Sequence, residues 1–133
     1  MPRVVAKRRQ GYTHDVEIEG GHALVIDEPA DKGGADEGPS PTRVLAAALA
    51  SCTAITVEMY ADRKGWDLGA LEVEVEMELE RSVPVHFDVT MRCPGTLDDE
   101  QYERLKVIAS KCPVHKALAA NTEVTVVDRI VPA

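Results

Sequence analysis

An α+β fold is predicted for this chain by three observations. Its first third alternates apolar and polar residues, one long segment is apolar on every side, and a second pair of segments alternates strictly. The length, 133 residues, suits one domain over residues 1–133 with a core that needs no staples. Fifteen Lys and Arg against twenty-three Asp and Glu leave a net charge of −8. That balance argues against nucleic acid, whose binding depends on neutralising phosphates. The five aromatic residues, Tyr12, Tyr60, Trp66, Phe87 and Tyr102, offer few surfaces for stacking bases. Three cysteines do not make a secreted disulfide scaffold. The first ten residues are basic without the apolar stretch of a signal peptide. The longest uncharged run, residues 44–57, is shorter than a bilayer requires. These features predict a soluble, cytoplasmic protein that binds neither nucleic acid nor membrane.

The elements follow in order. Residues 3–8 and 13–19 read as strands, the second with Val16 and Ile18 on one face, and Gly20-Gly21 turns it into a third at 22–27. Residues 28–40 are rich in Gly, Pro and acid and form a long loop. A helix is predicted over 41–64, with Ser40 as N-cap, Pro41 in the first turn and Gly65 as its stop. Its first half has no polar face, so burial on most sides is expected, with a second copy of the chain covering one of them. Leu71, Val73, Val75, Met77 and Leu79 alternate with five glutamates in the clearest strand, and Val83, Val85, Phe87, Val89 and Met91 continue the odd-numbered set. Keeping both sets on one face calls for an odd-length connection around residues 81–83, which sets His86 opposite Glu78 and Arg92 opposite Glu72. The glutamate row is read as a solvated face rather than a metal site. Thr96 is expected to cap a helix with Leu105, Ile108, Ala109 and Cys112 at helical spacing. Pro113 starts another helix to residue 120, closed by Asn121, and a last strand is expected over 123–128.

The chemistry rests on the cysteines. Cys112 precedes Pro113 at a helix N-cap, where free N–H groups favour a thiolate, with Lys111, His115 and Lys116 nearby. Cys52 lies within the apolar helix, a setting in which a thiol usually packs as a small hydrophobe and stays inert without a cation. Read alone, Cys112 is the more reactive of the two, and Cys93, before Pro94-Gly95 at a strand end, is structural or incidental. A zinc site from Cys52, Cys112 and His115 lacks the usual second pair of ligands. A hydrolase using His115 as the base for Cys112 needs both within a single turn, a poor geometry.

Taken together, Gly38-Pro-Ser-Pro41 eleven positions before Cys52 and Cys112-Pro-Val-His-Lys116 about sixty residues later resemble the OsmC/Ohr family of thiol-dependent peroxidases. The stretch Gly21-His-Ala-Leu-Val-Ile-Asp-Glu-Pro29 with Gly33-Gly34 is similar to an atypical branch of it. The resemblance implies an intertwined homodimer in which two long central helices are wrapped by antiparallel sheets. It implies that Cys52 attacks an organic hydroperoxide, that Cys112 resolves the product as a disulfide, and that a lipoyl-like dithiol resets the pair, with no cofactor or metal. This reverses the ranking of the two thiols given by their local settings. By position, Arg9 matches the family arginine that stabilises the thiolate. Thr42 and Arg43 stand where the family has a glutamate to hold it, leaving another acid such as Glu37 to do so, or Arg43 to act across the dimer. The alternative is a protein of this fold that has lost the peroxidase chemistry and binds a small lipophilic ligand at the dimer interface.

Overall fold

The computed structural model describes residues 1–120, 125–127 and 129. The chain divides into two compact units, one of residues 1–47 with 79–85 and the other of the described residues in 48–78 and from 86 onward.

The first unit is built on an antiparallel sheet of β1 (Val4–Gln10), β2 (Thr13–Ile18) and β3 (His22–Ile26), in that order. Val16, whose side chain is buried, pairs with Ala6 on one side and Leu24 on the other, which fixes the face that carries the core. Gly20 and Gly21 both have φ in the left-handed region, as the expected tight turn requires. The β1–β2 register shifts between Arg8 and Gln10, leaving Arg9 as the extra residue of a bulge. A bulge re-aims the side chain at its extra position.

The loop after β3 holds a single 3-10 turn, Ala30–Lys32, and is otherwise tied down by backbone hydrogen bonds. The Asp27 N–H donates to the Pro39 carbonyl at 3.1 Å, and the Asp36 N–H to that of Glu28 at 3.1 Å. Gly38 passes so close to the Val25 carbonyl that any Cβ there would collide with it.

Helix α1 (Pro41–Lys64) begins in this unit and continues into the other. The Ser40 carbonyl accepts from the Val44 N–H at 3.0 Å, which puts Ser40 at the expected N-cap position. Gly65, with φ 71°, ends the helix. The burial expected on most sides is not found within the chain. Leu49, Thr53, Val57 and Ala61 are buried, whereas Ile55 and Met59 are 53% and 58% exposed. A spacing of four makes one stripe, and half a turn away the surface is open. By length and composition α1 could also cross a membrane; here its stripe carries part of a globular core.

β4 (Glu72–Glu80) pairs with β5 (Val83–Arg92), most of the hairpin belonging to the second unit and residues 79–85 at its tip to the first. Their connection is not of odd length. It is the two-residue turn Arg81–Ser82, with φ 51° and 68°, whose twist matches that of the flanking strands. Val73, Val75, Met77, Phe87 and Met91 are half-buried, but Leu79, Val83, Val85 and Val89 are exposed. Arg92 forms an ion pair with Glu74 at 3.3 Å, and the His86 ring lies 3.3 Å from Asp88 on the same strand.

Helix α2 (Asp99–Ala109) is capped by Asp98, not Thr96. The Asp98 carboxylate accepts from the Gln101 N–H and the Gln101 side chain accepts from the Asp98 N–H, each at 2.8 Å. This reciprocal box satisfies two otherwise orphaned donors, which a lone threonine two residues earlier cannot do. Helix α3 (Pro113–Ala119) starts at Pro113 with Cys112 as N-cap. The core joins Val57 and Ala61 of α1 to Leu68 and Leu105, with Trp66, Met91 and Cys93 packed around them. The expected helix closure at Asn121 lies outside the described residues, as do Glu123, Val124 and Asp128 of the expected last strand. Residues 125–127 between them form no regular element.

Leu105 is 1% exposed at the centre of this cluster. Leu105→Ala is expected to lower unfolding free energy by about 2–5 kcal/mol, the usual cost of a large-to-small change with incomplete collapse, as read by urea denaturation.

Candidate active site

Two of the three predicted site residues come together. Cys52 and Cys112, sixty positions apart, are joined as a disulfide with their Cα atoms 5.9 Å apart. Each owes its place to its helix. Cys52 is adjacent in sequence to the buried Thr53, so the rotation that buries the Leu49–Ala61 stripe leaves it half-buried at the edge of that stripe. Cys112 is fully buried, and its sulfur accepts from the His115 N–H at 3.4 Å at the start of α3. Pro113 allows this arrangement, because it ends one helical run and fits the first position of the next. A thiolate there would meet free N–H groups and the positive end of α3. What the pair can do chemically is cycle between dithiol and disulfide. Its two sulfurs are bonded to each other, and Cys112 meets the backbone of His115. Among the described residues no group of three or more His, Cys, Asp and Glu could hold a metal ion. Cys93 is the one free cysteine among the described residues. Its half-burial against the core pushes its thiol pKa up, as expected of a packing residue.

Arg9 belongs to the other unit. Its guanidinium holds the Asp15 carboxylate through both Nε, at 3.1 Å, and Nη2. This planar, two-point pairing draws the Asp15 carboxyl below the usual carboxylate range, first through the hydrogen bond. Glu37, the acid named from sequence for holding Arg9, contributes only a more distant attraction. Its backbone N–H is used elsewhere, donating to Asp27 at 3.2 Å. Arg43 is exposed on the first turn of α1.

Sequence reasoning passed over both Asp15 and Asp27. Asp27 is buried, and its carboxylate accepts from the Thr13 hydroxyl at 2.7 Å and from the N–H groups of Glu28 at 2.7 Å and Glu37 at 3.2 Å. It therefore gathers both ends of the loop that leads to Ser40 and Pro41. The available signal was an aspartate placed at a strand end just before a Gly- and Pro-rich loop, whose free N–H groups need an acceptor. Asp15 had no such signal, because its partner is chosen by the bulge.

With the architecture and this geometry established, comparison with known proteins is informative. The family model for OsmC-like proteins matches residues 33–127. The chain belongs to the OsmC-like protein family. Solved structures share its fold. An organic hydroperoxide resistance protein of Legionella pneumophila is 23% identical, with TM-score 0.64 over 90% of each chain. The organic hydroperoxide resistance protein OhrB of Bacillus subtilis is 24% identical, with TM-score 0.59 over 91% of this chain and 92% of that one. An OsmC-like protein of Mycoplasma pneumoniae is 14% identical but reaches TM-score 0.78 over 90% and 87%. No curated protein matches the sequence.

The Thr13 hydroxyl and then the loop N–H groups hold the Asp27 carboxyl below its ordinary range, against the opposing effect of burial. A depressed folded pKa means stability that is present above the unfolded value of about 3.9 and is lost as pH falls through the folded value. Asp27→Asn is therefore expected to lower the melting temperature at pH 7. The gap to the parent chain should close as pH drops below about 4, as followed by thermal melts across pH.

Proposed function

We propose that the chain is a thiol-dependent peroxidase that reduces organic hydroperoxides, acting as a cytoplasmic homodimer whose whole length, residues 1–133, is one OsmC-like domain. The observation that carries this reading is the meeting of Cys52 and Cys112 across sixty residues, at a Cα separation suited to a reversible disulfide. The solved structures named for hydroperoxide resistance share the fold and support it.

In the proposed cycle the Cys52 thiolate attacks the outer oxygen of the peroxide. The O–O bond breaks, Cys52 becomes a sulfenic acid, and the alkoxide leaves and takes a proton as the alcohol. The Cys112 thiol then displaces hydroxide from the sulfenic sulfur, which leaves as water once protonated, and the disulfide forms. A dithiol reductant of lipoyl type restores both thiols by two exchange steps and is itself oxidised to a disulfide. Cys52 takes the first step because it is the less buried residue of the pair, whereas Cys112 is fully buried. The apolar residues around Cys52 on α1 favour a lipophilic peroxide over hydrogen peroxide.

Arg9 is the proposed thiolate-stabilising cation, held by Asp15 in place of the acid that Thr42 and Arg43 do not provide. The half-exposed Ile55 and Met59 on an otherwise apolar helix support a second copy covering α1. A reducing compartment would keep the pair cycling, which motivates the cytoplasmic assignment.

Peroxide consumption with a dithiol reductant tests the reading. Cys52→Ser is expected to abolish turnover, and full retention of activity would rule the mechanism out. Cumene hydroperoxide should give a kcat/KM at least tenfold above that of hydrogen peroxide. Arg9→Gln and Asp15→Asn should each raise the pKa of Cys52 alkylation in the reduced protein, whereas Glu37→Gln should leave it near the parent value. A Cys52 pKa at or above about 8.5 in the parent chain would contradict an activated nucleophile.

A further inference from the structure

A cavity of about 570 Å3 lies at the C-terminal end of α1, with walls that include Tyr60, Lys64, Trp66, Arg104 and Val107. Neither Cys52 nor Cys112 lines it. It is an open groove, with Lys64, Arg104 and Val107 exposed, and its volume is that of clefts that hold small organic molecules. The apolar part is aromatic, with Tyr60 and Trp66 packed edge to face at 5.5 Å between ring centres.

Three cations converge on Tyr60. The guanidinium carbons of Arg104 and Arg63 lie 5.6 and 6.0 Å from its ring centre, and Lys64 Nζ lies 5.7 Å from it. Arg104 also donates from Nε to the phenol oxygen at 3.0 Å. Among the described residues, none of the three is within ion-pair distance of a carboxylate. In a chain of twenty-three acids and net charge −8, three cations clustered without an acid partner need a reason. The helix dipole accounts for Arg63 and Lys64, which occupy the last turn of α1, but not for Arg104, which comes from α2. The cluster is felt locally: the Tyr60 phenol is held below its ordinary pKa, first by the Arg104 hydrogen bond and then by the attraction of all three cations.

The acids in the wall are mostly committed. Asp98 caps α2, and Glu103 pairs with Lys106 at 3.0 Å, which leaves Glu100. Because Arg104 meets Tyr60 through Nε, its two Nη groups are left to donate elsewhere. We propose that this cavity is a binding site for a small organic carboxylate with a flat apolar body. Arg104 and Lys64 take the carboxylate, and Trp66, Tyr60 and Val107 take the body. A carboxylate suits the site better than a phosphate, because Glu100 in the wall opposes a second negative charge and the aromatic wall needs an apolar partner.

The test is a calorimetric titration of the full-length oxidised chain with naphthalene-2-carboxylate, with the indole N–H resonance of Trp66, the only tryptophan, locating the ligand. The expected result is saturable one-to-one binding that shifts this resonance. The neutral naphthalene-2-carboxamide should bind at least tenfold more weakly. Lys64→Gln and Arg104→Gln should each weaken the acid about tenfold or more, the usual effect of losing a charge-assisted hydrogen bond. Glu100→Gln should tighten it. Among the described residues the Lys64 ammonium makes no hydrogen bond, so its variant keeps the test valid if Arg104→Gln disturbs α2. Absence of binding, equal affinity for acid and amide, indifference to Lys64→Gln, or equal binding of inorganic phosphate would each overturn the proposal.

Discussion

The second unit depends on the burial of one stripe of α1. Val57 and Ala61 are held against Leu68 and Leu105, and Leu49 and Thr53 continue the stripe toward the helix start. A helix rotates as a rigid body, so burying these four residues settles the orientation of every other side chain on it. Full burial of side chains such as Val57 and Leu105 is worth about 1.5–3 kcal/mol each, enough to hold that rotation against the few hydrogen bonds at the surface. Cys52 is set at the edge of the stripe, half-buried, and Tyr60 is turned toward α2 and Arg104. The thiol pair and the cationic cavity are thus two consequences of one packing choice.

The first unit is organised by polar groups. Its sheet is short and much of it is exposed, and the loop after β3 has few apolar side chains to anchor it. A buried carboxylate does that work instead: Asp27 accepts from both ends of the loop and from Thr13 on β2. A buried carboxylate is tolerated only when its lone pairs are used, and here they are. A few residues away, Arg9 is thrown out of register by the bulge and caught by Asp15. Asp15 thus meets Arg9 from the neighbouring strand of the same sheet.

Much of this was legible in the sequence, and the failures have common causes. The helix over 41–64 was readable because Ser40, Pro41 and Gly65 are local signals that need no partner. The same holds for Cys112 before Pro113. The α2 cap was misplaced because Thr96 and Asp98 are both good caps, and the choice falls to whichever can form a reciprocal pair with Gln101. The Arg81–Ser82 turn was missed because neither residue announces a left-handed conformation. Its two-residue geometry is favoured by the twist of the flanking strands.

Local chemistry in the sequence determined the order of the elements, the ends of α1, the helix start that carries Cys112, and the family motifs around both cysteines. These depend on φ preferences, on hydrogen bonds within a few residues and on apolar periodicity, all written into neighbouring positions. Only the tertiary structure decided which face of α1 is buried, that Cys52 and Cys112 meet, that Asp15 rather than Glu37 holds Arg9, and that three cations gather on Tyr60. Each of these is a contact between residues distant in sequence or displaced by a bulge. Their energies come from packing and from charge at a few ångströms, which no stretch of sequence encodes by itself.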